Sequence, residues 1–399
     1  MAETITDLDA RIDALLAEVP PREVDPTTFL GAQFDRGLAW VHFAEGCGGL
    51  AGSPAEQQHT MVRLLNAGAP TAMLRNVIGY GMVAPTIAVH GTEEQKSRFL
   101  RPLFTGEEVW CQLFSEPGAG SDVASLATRA ERDGDEWLLN GQKVWTTLAH
   151  VASYGLIIAR TDPDQPKHRG ITAFLVDMHA PGVEVRPLYQ ATGEAEFNEC
   201  FFTDARVPDT RRLGGVGEGW TVAITTLMNE RVSIGGGVPP RDSGLIGQAL
   251  TLWRERWSGR VDAHASAVRA RVMEAWVRAE VSRLTNWRAS DLRDAGTPGP
   301  EGSVAKLASA EGNQRLSELC VDLLGAEGML YGSAFPLVRP TETSYASGDV
   351  RKVFIRSRAN SIEGGTSEVM RNIIGERVLG LAGEPRADKG VAWKDVPRG

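Results

Sequence analysis

The segment at residues 115–122 contains the residue types best suited to hold an anionic group. It reads Ser-Glu-Pro-Gly-Ala-Gly-Ser-Asp, so three small residues follow a proline in close succession. Small residues let the backbone turn tightly and let its N–H groups point at an anion without side chains in the way. Ser121 adds a hydroxyl donor. Taken alone, this composition suits a structural turn as well as it suits an anion-binding loop.

Two further segments add an aromatic surface and the start of a helix. Residues 141–147 read Gly-Gln-Lys-Val-Trp-Thr-Thr, which places the indole of Trp145 and the hydroxyl of Thr147 on a predicted strand. Residues 364–374 read Gly-Gly-Thr-Ser-Glu-Val-Met-Arg-Asn-Ile-Ile, a glycine turn that opens a capped amphipathic helix. A flat aromatic group and a hydroxyl near an anion-binding loop suit a planar heterocycle that carries a pyrophosphate.

The elements that must position these segments divide the chain into three zones and a tail. Residues 1–108 show helical periodicity, and residues 109–215 carry short strand-like runs separated by turn residues. Residues 216–385 return to helical spacing, and residues 386–399 are expected to form a flexible polar tail. The predicted fold is an α+β multidomain chain with an N-terminal helical domain, a middle antiparallel β-barrel or sandwich and a C-terminal helical bundle.

Two local signals inside these zones predict particular turns. Thr92, followed three residues later by Gln95, predicts a capped helix start. Asn140-Gly141 lies between the strand-like runs Trp-Leu-Leu and Lys-Val-Trp. Because Asn-Gly is the strongest short hairpin signal, a hairpin turn is expected at these two residues.

Composition and charge limit the classes of partner. The net charge of -9 argues against nucleic acid as the main partner. The four cysteines stand singly, without metal-ligand spacing, so reduced core thiols and no metal site are expected. The acidic N-terminus lacks an apolar stretch, and no run of about 18 apolar residues occurs. These features predict a cytoplasmic protein without a membrane partner.

Taken in order, the three segments resemble the acyl-CoA dehydrogenase family: Glu-Pro-Gly-Ala-Gly-Ser-Asp, then Asn-Gly-Gln-Lys-x-Trp-x-Thr, then Gly-Thr-Ser-Glu-x-x-Arg-Asn-Ile. The resemblance covers roughly residues 85–382 and matches the order of the zones. It implies an FAD-dependent oxidoreductase of fatty acid or lipid catabolism. The implied reaction converts an acyl-CoA thioester to the trans-2-enoyl-CoA, with the electrons passed to an electron-transfer flavoprotein.

The resemblance assigns four residues to the flavin ring. Phe114 and Ser115 match strand-end positions whose backbone and hydroxyl meet the ring. Trp145 and Thr147 match a pair that packs on the ring and forms a hydrogen bond with it. In the family the middle domain covers the flavin, and the acyl chain lies between the flavin and the C-terminal helices.

Three more residues match positions along the rest of the two ligands. Ser121 matches a residue near the CoA phosphates and the thioester. Thr366 and Glu368 match positions near the ribityl and phosphate region of the flavin. The pyrophosphate is expected to be held mainly by backbone donors.

The implied reaction needs a carboxylate that removes the α-proton and donors that stabilise the enolate-like oxygen. In many family members the base directly precedes the Gly-Thr of the last motif, but that position is Gly364 here. Others carry the base in the first helix of the C-terminal domain, just before an arginine. The run Met-Asn-Glu-Arg-Val at residues 228–232 matches this pattern, with Glu230 as the base. Glu363 is the alternative, although a one-residue shift is expected to turn its side chain elsewhere.

Three residues form the resulting catalytic hypothesis. Glu230 removes the α-proton, Arg231 helps to set its ionisation and position, and the Gly364 N–H donates to the thioester oxygen. Glycine at position 364 leaves room for the carboxylate, and substrate that covers the carboxylate is expected to raise its pKa. The simpler alternative is that Glu230 is a solvated helix residue.

Two segments depart from the family pattern. The Arg-x-x-Phe-Gly stretch that reaches the flavin diphosphate of a neighbouring subunit is missing, and residues 235–240 and 253–257 occupy its region. The usual Gln-x-x-Gly-Gly reads Asp-Leu-Leu-Gly-Ala at residues 322–326. We therefore expect a homo-oligomer, either a dimer or a tetramer, or a pairing with a paralogous chain. A non-catalytic or half-site subunit and an oxidase that uses oxygen are the alternative functions.

Overall fold

The computed structural model describes residues 2–71, 73, 76–235, 238–294, 301–331, 337–341, 348–385 and 388–397. Along these residues five helices are followed by eight strands and then by six helices. The expected succession of a helical, a β and a second helical zone is therefore confirmed. No helix in this part of the chain has the length and apolar character needed to cross a membrane.

The N-terminal helices are α1 (Ala2–Glu18), α2 (Pro26–Asp35), α3 (Pro54–Asn66), α4 (Ala84–His90) and α5 (Glu93–Thr105). They include a group around a core of their own and two helices, α4 and α5, that pack on the sheet. The predicted cap of α5 is confirmed, because the Thr92 hydroxyl accepts the Gln95 N–H at 3.2 Å and the Gln95 side chain accepts the Thr92 N–H at 3.1 Å. Two donors at the helix start are thereby satisfied.

The middle zone forms one open eight-stranded sheet and not a closed barrel. Its strands are β1 (Trp110–Leu113), β2 (Arg129–Asp133), β3 (Glu136–Thr147), β4 (Tyr154–Arg160), β5 (Ile171–Asp177), β6 (Val183–Pro187), β7 (Phe197–Pro208) and β8 (Arg212–Leu213). Their order is β6-β7-β3-β2-β4-β5-β8, and β1 pairs with β4. The sheet is mostly antiparallel, but β1 and β2 pair with β4 in parallel.

Strand β4 lies between two apolar cores because its side chains alternate in direction. Leu156 and Ile158 belong to a core that includes Phe99 of helix α5. Ile157 and Ala159 belong to a second core, built with residues of β3 and β7. The sheet is therefore covered on both faces, which explains why every residue of β4 is buried.

The hairpin predicted at Asn140-Gly141 is wrong, because β3 runs through both residues. The turn lies earlier, where Asp133 of β2 pairs with Glu136 of β3. Gly141 has a φ of 150°, and a Cβ at this position would lie 2.7 Å from the Cα of Thr128. The pairing of β3 with β7 shifts register next to this glycine. The glycine therefore allows the backbone of β3 to pass close to the backbone of Thr128 at a bulge.

The C-terminal helices are α6 (Gly219–Gly235), α7 (Gly244–Arg256), α8 (Ala263–Asp294), α9 (Glu301–Leu324), α10 (Val350–Arg356) and α11 (Ser367–Ile373). Helix α6 packs on the sheet, since Val222 and Ala223 share the core of Leu156. Helices α7, α8 and α9 enclose a separate core that includes Ala249, Val272 and Cys320. Helix α6 thus connects the sheet to the C-terminal bundle.

Residues 388–397, part of the tail predicted to be flexible, contact the loop between β4 and β5. The backbone N–H of Trp393 donates to the carbonyl of Gln165 at 2.9 Å. The guanidinium of Arg160 lies 4.7 Å from the centre of the Trp393 ring. Asp388 forms an ion pair with Lys167 at 2.5 Å. The tail is held because its tryptophan supplies the apolar and cation–π contacts that a purely polar tail would lack.

Candidate active site

A buried ion pair connects the first two motifs. Lys143 is fully buried and its ammonium lies 2.8 Å from the carboxylate of Glu116, which is 7% exposed. The ammonium also donates to the Phe114 carbonyl at 3.0 Å. Glu116 accepts two backbone N–H groups, from Ala127 at 2.6 Å and from Thr128 at 2.9 Å. These contacts hold residues 115–122 against β3.

The Glu116–Lys143 pair is a feature that sequence reasoning missed. Burial acts to raise the pKa of Glu116, but the charge of Lys143 and the hydrogen bonds it receives outweigh burial and hold that pKa below the usual value. The signal was present, because Glu116 and Lys143 each stand next to small or apolar residues in their motifs. A buried charge with this many partners is stable only as part of a complete network.

The turn after β1 leaves bare backbone at the surface. Glu116 and Ala119 exchange backbone hydrogen bonds of 3.1 and 3.0 Å, which closes the turn. Gly118, Gly120 and Ser121 are exposed, and a Cβ at either glycine would meet no atom within 4 Å. This surface, with the Ser121 hydroxyl, has the donor set expected for an anion.

Trp145 presents its indole at the protein surface, next to this turn. Its side chain is 62% exposed and its backbone has a φ of 60°, where β3 shifts register against β7. The N–H of Val144 donates to the Ser115 carbonyl at 2.9 Å, so Ser115 lies beside Trp145. The partly exposed Thr147 follows on the same strand. A left-handed backbone at a large residue is uncommon and indicates a constrained position.

Phe114 differs from the other three residues assigned to the flavin ring. Its ring is 3% exposed and lies in the core beneath the sheet, and its carbonyl accepts the Lys143 ammonium. The structure therefore brings Ser115, Trp145 and Thr147 to one surface, but it turns the side chain of Phe114 away. What Phe114 contributes there is backbone.

The last motif forms a glycine turn followed by the capped helix α11. Gly364 and Gly365 have φ values of 65° and 94°, a region that favours glycine. The Thr366 hydroxyl accepts the Val369 N–H at 3.1 Å and caps the helix, while Glu368 lies exposed in the first turn. A glutamate at position 364, where many family members carry their base, would be strained by this backbone.

Glu230 lies on α6 and faces strand β1. The Gln112 side chain donates to its carboxylate at 3.5 Å, a long and weak contact. Gln112 lies two residues before Phe114, so the candidate base stands at the end of β1 that carries the first motif. Gln112 was not identified from the sequence. The Arg231 side chain lies outside the described part of the chain.

Lys306 holds the glycine turn and is influenced by the charge of Glu230. It is 5% exposed, and its ammonium donates to the carbonyls of Asn360 at 2.9 Å and Gly365 at 2.5 Å. Burial lowers the pKa of Lys306, and three carboxylates oppose this effect: Glu363, Glu230 and Glu368. One buried cation therefore holds the turn that contains Gly364 and lies within the field of the candidate base. This lysine too was missed from the sequence.

Glu363 is held in an ion pair. Its two carboxylate oxygens accept both terminal nitrogens of Arg356, at 3.2 and 2.9 Å, and the Asn360 amide donates to it at 2.6 Å. Three N–H donors therefore fix the position of this carboxylate. This geometry gives Glu363 the character of a structural anchor.

The segments that depart from the family pattern form surface ion pairs. Arg256 pairs with Glu327 at 2.6 Å, and Arg271 pairs with Asp322 at 2.6 Å. The Trp257 indole N–H donates to the Leu323 carbonyl at 3.0 Å. These two arginines are therefore engaged by carboxylates of their own chain.

Comparison with known proteins places similar domains along nearly the whole chain. Residues 3–107, 111–205 and 217–379 match the N-terminal, middle and C-terminal domains of acyl-CoA dehydrogenases. The acyl-CoA dehydrogenase IpdE1 of Mycobacterium tuberculosis is 37% identical over 361 residues, which cover 89% of this chain and 86% of IpdE1.

Two further comparisons are a longer relative and a chain from a solved complex. The acyl-CoA dehydrogenase FadE34 of Mycobacterium tuberculosis is 40% identical over 87% of this chain, but the match covers 45% of FadE34. The chain thus spans about half the length of that relative. A chain in the crystal structure of the ChsE4-ChsE5 complex from Mycobacterium tuberculosis is 29% identical, with a TM-score of 0.70 and coverage of 97% of this chain and 98% of that chain.

Proposed function

The chain belongs to the acyl-CoA dehydrogenase family, and we propose that it catalyses FAD-dependent α,β-dehydrogenation of an acyl-CoA thioester. The product is the trans-2-enoyl-CoA, and an electron-transfer flavoprotein accepts the electrons. One observation carries this proposal. Glu230 stands at the end of β1 beside Gln112, while Lys306, within the field of its charge, holds the turn that contains Gly364.

The residues at the surface of β3 suit the flavin ring of FAD. The exposed indole of Trp145 offers a flat apolar face, and Thr147 and Ser115 offer hydroxyl groups beside it. Ser121 and the bare backbone of residues 118–121 suit the phosphates of CoA. Thr366 and Glu368 lie at the start of α11, and we assign them to the ribityl and phosphate part of the cofactor. When bound, FAD accepts the hydride that leaves the β-carbon of the thioester.

In this proposal the chain's own residues manage the proton and the charge on the thioester. The α-carbon–hydrogen bond breaks and Glu230 takes the proton, so that a double bond forms between the α- and β-carbons as the β-hydrogen departs with its electron pair. The Gly364 N–H donates to the thioester oxygen while negative charge develops there. Arg231 follows Glu230 on α6 and helps to set its position. Lys306 fixes the backbone that orients the Gly364 donor.

The function is tested by steady-state turnover with a panel of acyl-CoAs that differ in chain length, branching and ring content. The FAD-loaded protein is expected to yield a product two hydrogens lighter by mass spectrometry, with an electron-transfer flavoprotein as the acceptor. A product formed at the same rate with oxygen alone, together with hydrogen peroxide, would assign an oxidase. No product from any acyl-CoA with fully loaded protein would contradict dehydrogenation.

An apolar stripe on α8 supports association with a second chain of this kind. Its members are all 45–57% exposed: Met273, Val277, Val281, Leu284 and Trp287. They recur at helical spacing on one long helix, and such a stripe normally packs against a partner. The second chain would then complete the diphosphate end of the cofactor site, for which the family motifs are altered in this chain. A homo-oligomer and a pair of paralogous chains both remain outcomes of the test.

Native mass spectrometry tests this association. The lone chain is expected to form a dimer or tetramer, and a Val277→Lys/Val281→Lys double variant is expected to shift it to monomer with loss of FAD. Val261→Lys is the matched control, because Val261 is fully exposed outside the stripe. Lone wild-type chain that stays monomeric and takes up FAD only with a paralogue would assign a half-site subunit. A stable monomer that holds one FAD and turns over substrate would contradict association.

A further inference from the structure

Arg356 lies between an aromatic ring of the β domain and a carboxylate of the C-terminal domain. Its guanidinium carbon is 5.3 Å from the centre of the Phe197 ring. On the other side, its two terminal nitrogens donate to Glu363 at 3.2 and 2.9 Å. The side chain is 14% exposed. A planar guanidinium can meet a ring with its face and a carboxylate with its edge, which an ammonium group cannot do.

Each neighbour of Arg356 leads directly to a residue of the candidate active site. Phe197 pairs with Thr147 across β3 and β7, and its ring meets the Trp145 indole edge-on at 6.1 Å. Glu363 directly precedes Gly364, whose N–H is the proposed donor to the thioester oxygen. Arg356 is therefore one contact away from the flavin-facing surface and one residue away from the donor.

The turn that contains Glu363 and Gly364 is held by Asn360 and by Lys306 of α9. Asn360 binds the Glu363 carboxylate at 2.6 Å, and Lys306 binds the carbonyls of Asn360 and Gly365. With both ends of the turn held on α9, Arg356 is the described contact of Glu363 that connects it to the β domain. The contact between Arg356 and Glu363 therefore influences the position of the turn that contains Gly364.

A second carboxyl group increases the need for this cation. Glu196 precedes Phe197 and is 2% exposed, and its Oε1 atom has no hydrogen-bond partner among the described residues. Burial raises the pKa of Glu196, whereas the charge of Arg356 acts to lower it. Arg356 therefore compensates charge on both sides of the junction between the domains.

We propose that Arg356 is a positioning residue, which sets the distance between the flavin-facing Trp145 surface and the Gly364 N–H through its simultaneous contacts with Phe197 and Glu363. The inference rests on the proposed function. Loss of the contact would displace the donor from the developing oxyanion without removing any group that touches substrate. Displacements of about 1 Å in such donors cost roughly a hundredfold in rate.

The test compares three variants of the FAD-loaded protein in the assembly in which it purifies. Arg356→Met removes the cation, and Arg356→Lys keeps the charge but loses the fork. Arg358→Met is the matched control, because Arg358 also stacks on a phenylalanine, Phe354 at 4.8 Å, and pairs with a carboxylate, Glu318 at 2.7 Å. Among the described residues, its side-chain contacts all lie within the C-terminal helices. Hydrogen exchange of residues 359–366 reports the position of the turn, and stopped-flow kinetics report flavin reduction by acyl-CoA.

Arg356→Met is expected to speed exchange of residues 359–366 and to lower the maximal reduction rate about ten- to a hundredfold, with little change in the concentration of acyl-CoA at half-saturation. Arg356→Lys is expected to recover only part of this loss, and Arg358→Met to match wild type. Equal exchange and rates in Arg356→Met and Arg358→Met would overturn the proposal. So would an effect confined to substrate affinity. If the exchange difference appears but no acyl-CoA reduces the flavin of the wild-type protein, the proposed function is wrong. The role of Arg356 in linking the two domains is then still supported.

Discussion

The two halves of the proposed cofactor site are built in opposite ways. At the flavin-ring half, the motif residues are tied together from inside, by an ion pair whose lysine is fully buried and whose glutamate is 7% exposed. At the other half, around α7, α8 and α9, the ion pair formed by Asp322 of the altered motif lies at the surface, and the side chains of Arg271 and Asp322 are 54% and 55% exposed. Under the proposed function, the chain therefore prepares the ring half by itself, and a second chain completes the diphosphate half.

The largest expected effect concerns the base at the prepared half. Glu230→Gln keeps the shape of the side chain and deletes its basicity, so flavin reduction by acyl-CoA should fall by roughly a thousandfold or more. Anaerobic stopped-flow absorbance measures this rate directly.

Glu363→Gln separates the two carboxylates. It weakens the pair with Arg356 but removes no proton acceptor from the proposed reaction, so its loss should stay within about a hundredfold. If Glu363→Gln loses more than Glu230→Gln, the role of base passes to Glu363. Near-normal rates in both variants would mean that neither carboxylate is the base.

Lys143→Met removes the buried ion pair that distinguishes the ring half from the other half. It leaves Glu116 buried without its cation, so the free energy of unfolding should fall by about 3–5 kcal/mol. The matched surface variant, Arg271→Met, should cost about 0–1 kcal/mol, because solvent screens an exposed pair. Urea unfolding of both variants gives the two values. Similar losses would show that the interior of the ring half is not specially organised.

The same pair predicts how the difference changes with pH. The pKa of Glu116 is held below its usual value of 4.5 in the folded protein, so its contribution is present above that pH and is lost as the pH falls through the lower folded value. Without Lys143, burial raises the pKa of Glu116 and protonation relieves the unpaired charge. The gap in unfolding free energy between wild type and Lys143→Met should therefore begin to narrow above pH 4.5, as Glu116 of the variant takes up its proton, and should narrow further as the pH falls through the lower folded value of wild type. A constant gap from pH 7 to pH 3 would contradict this assignment.

A smaller effect is expected at the surface of the ring half. Trp145→Ala removes a stacked surface but few buried contacts, since the indole is 62% exposed. FAD affinity should fall about tenfold, or roughly 1–1.5 kcal/mol, with stability nearly unchanged. Unchanged flavin content in Trp145→Ala would show that the ring is placed wrongly.

The sequence was most informative where the signal is local. The cap of α5 needs only Thr92 and Gln95, and the helix–sheet–helix order follows from periodicity. The Asn-Gly hairpin failed because the approach of Thr128 to Gly141 is a tertiary contact that a dipeptide rule does not contain.

Contacts between residues far apart in the sequence could not be predicted for the same reason. Lys143 and Glu116 are 27 residues apart, and Trp393 meets a loop more than 200 residues earlier. The motifs marked the region of the site, but the contacts of Lys306 and Arg356 depend on how helices from distant parts of the chain pack together.

The most direct test of the central claim is anaerobic titration of the FAD-loaded protein with acyl-CoAs, followed by visible absorbance. The account predicts that at least one acyl-CoA bleaches the flavin, with one enoyl-CoA formed for each flavin reduced, and that Glu230→Gln loses this bleaching on the same time scale. Fully loaded protein that dithionite reduces, but that no acyl-CoA of any chain length, branching or ring content bleaches, would contradict it.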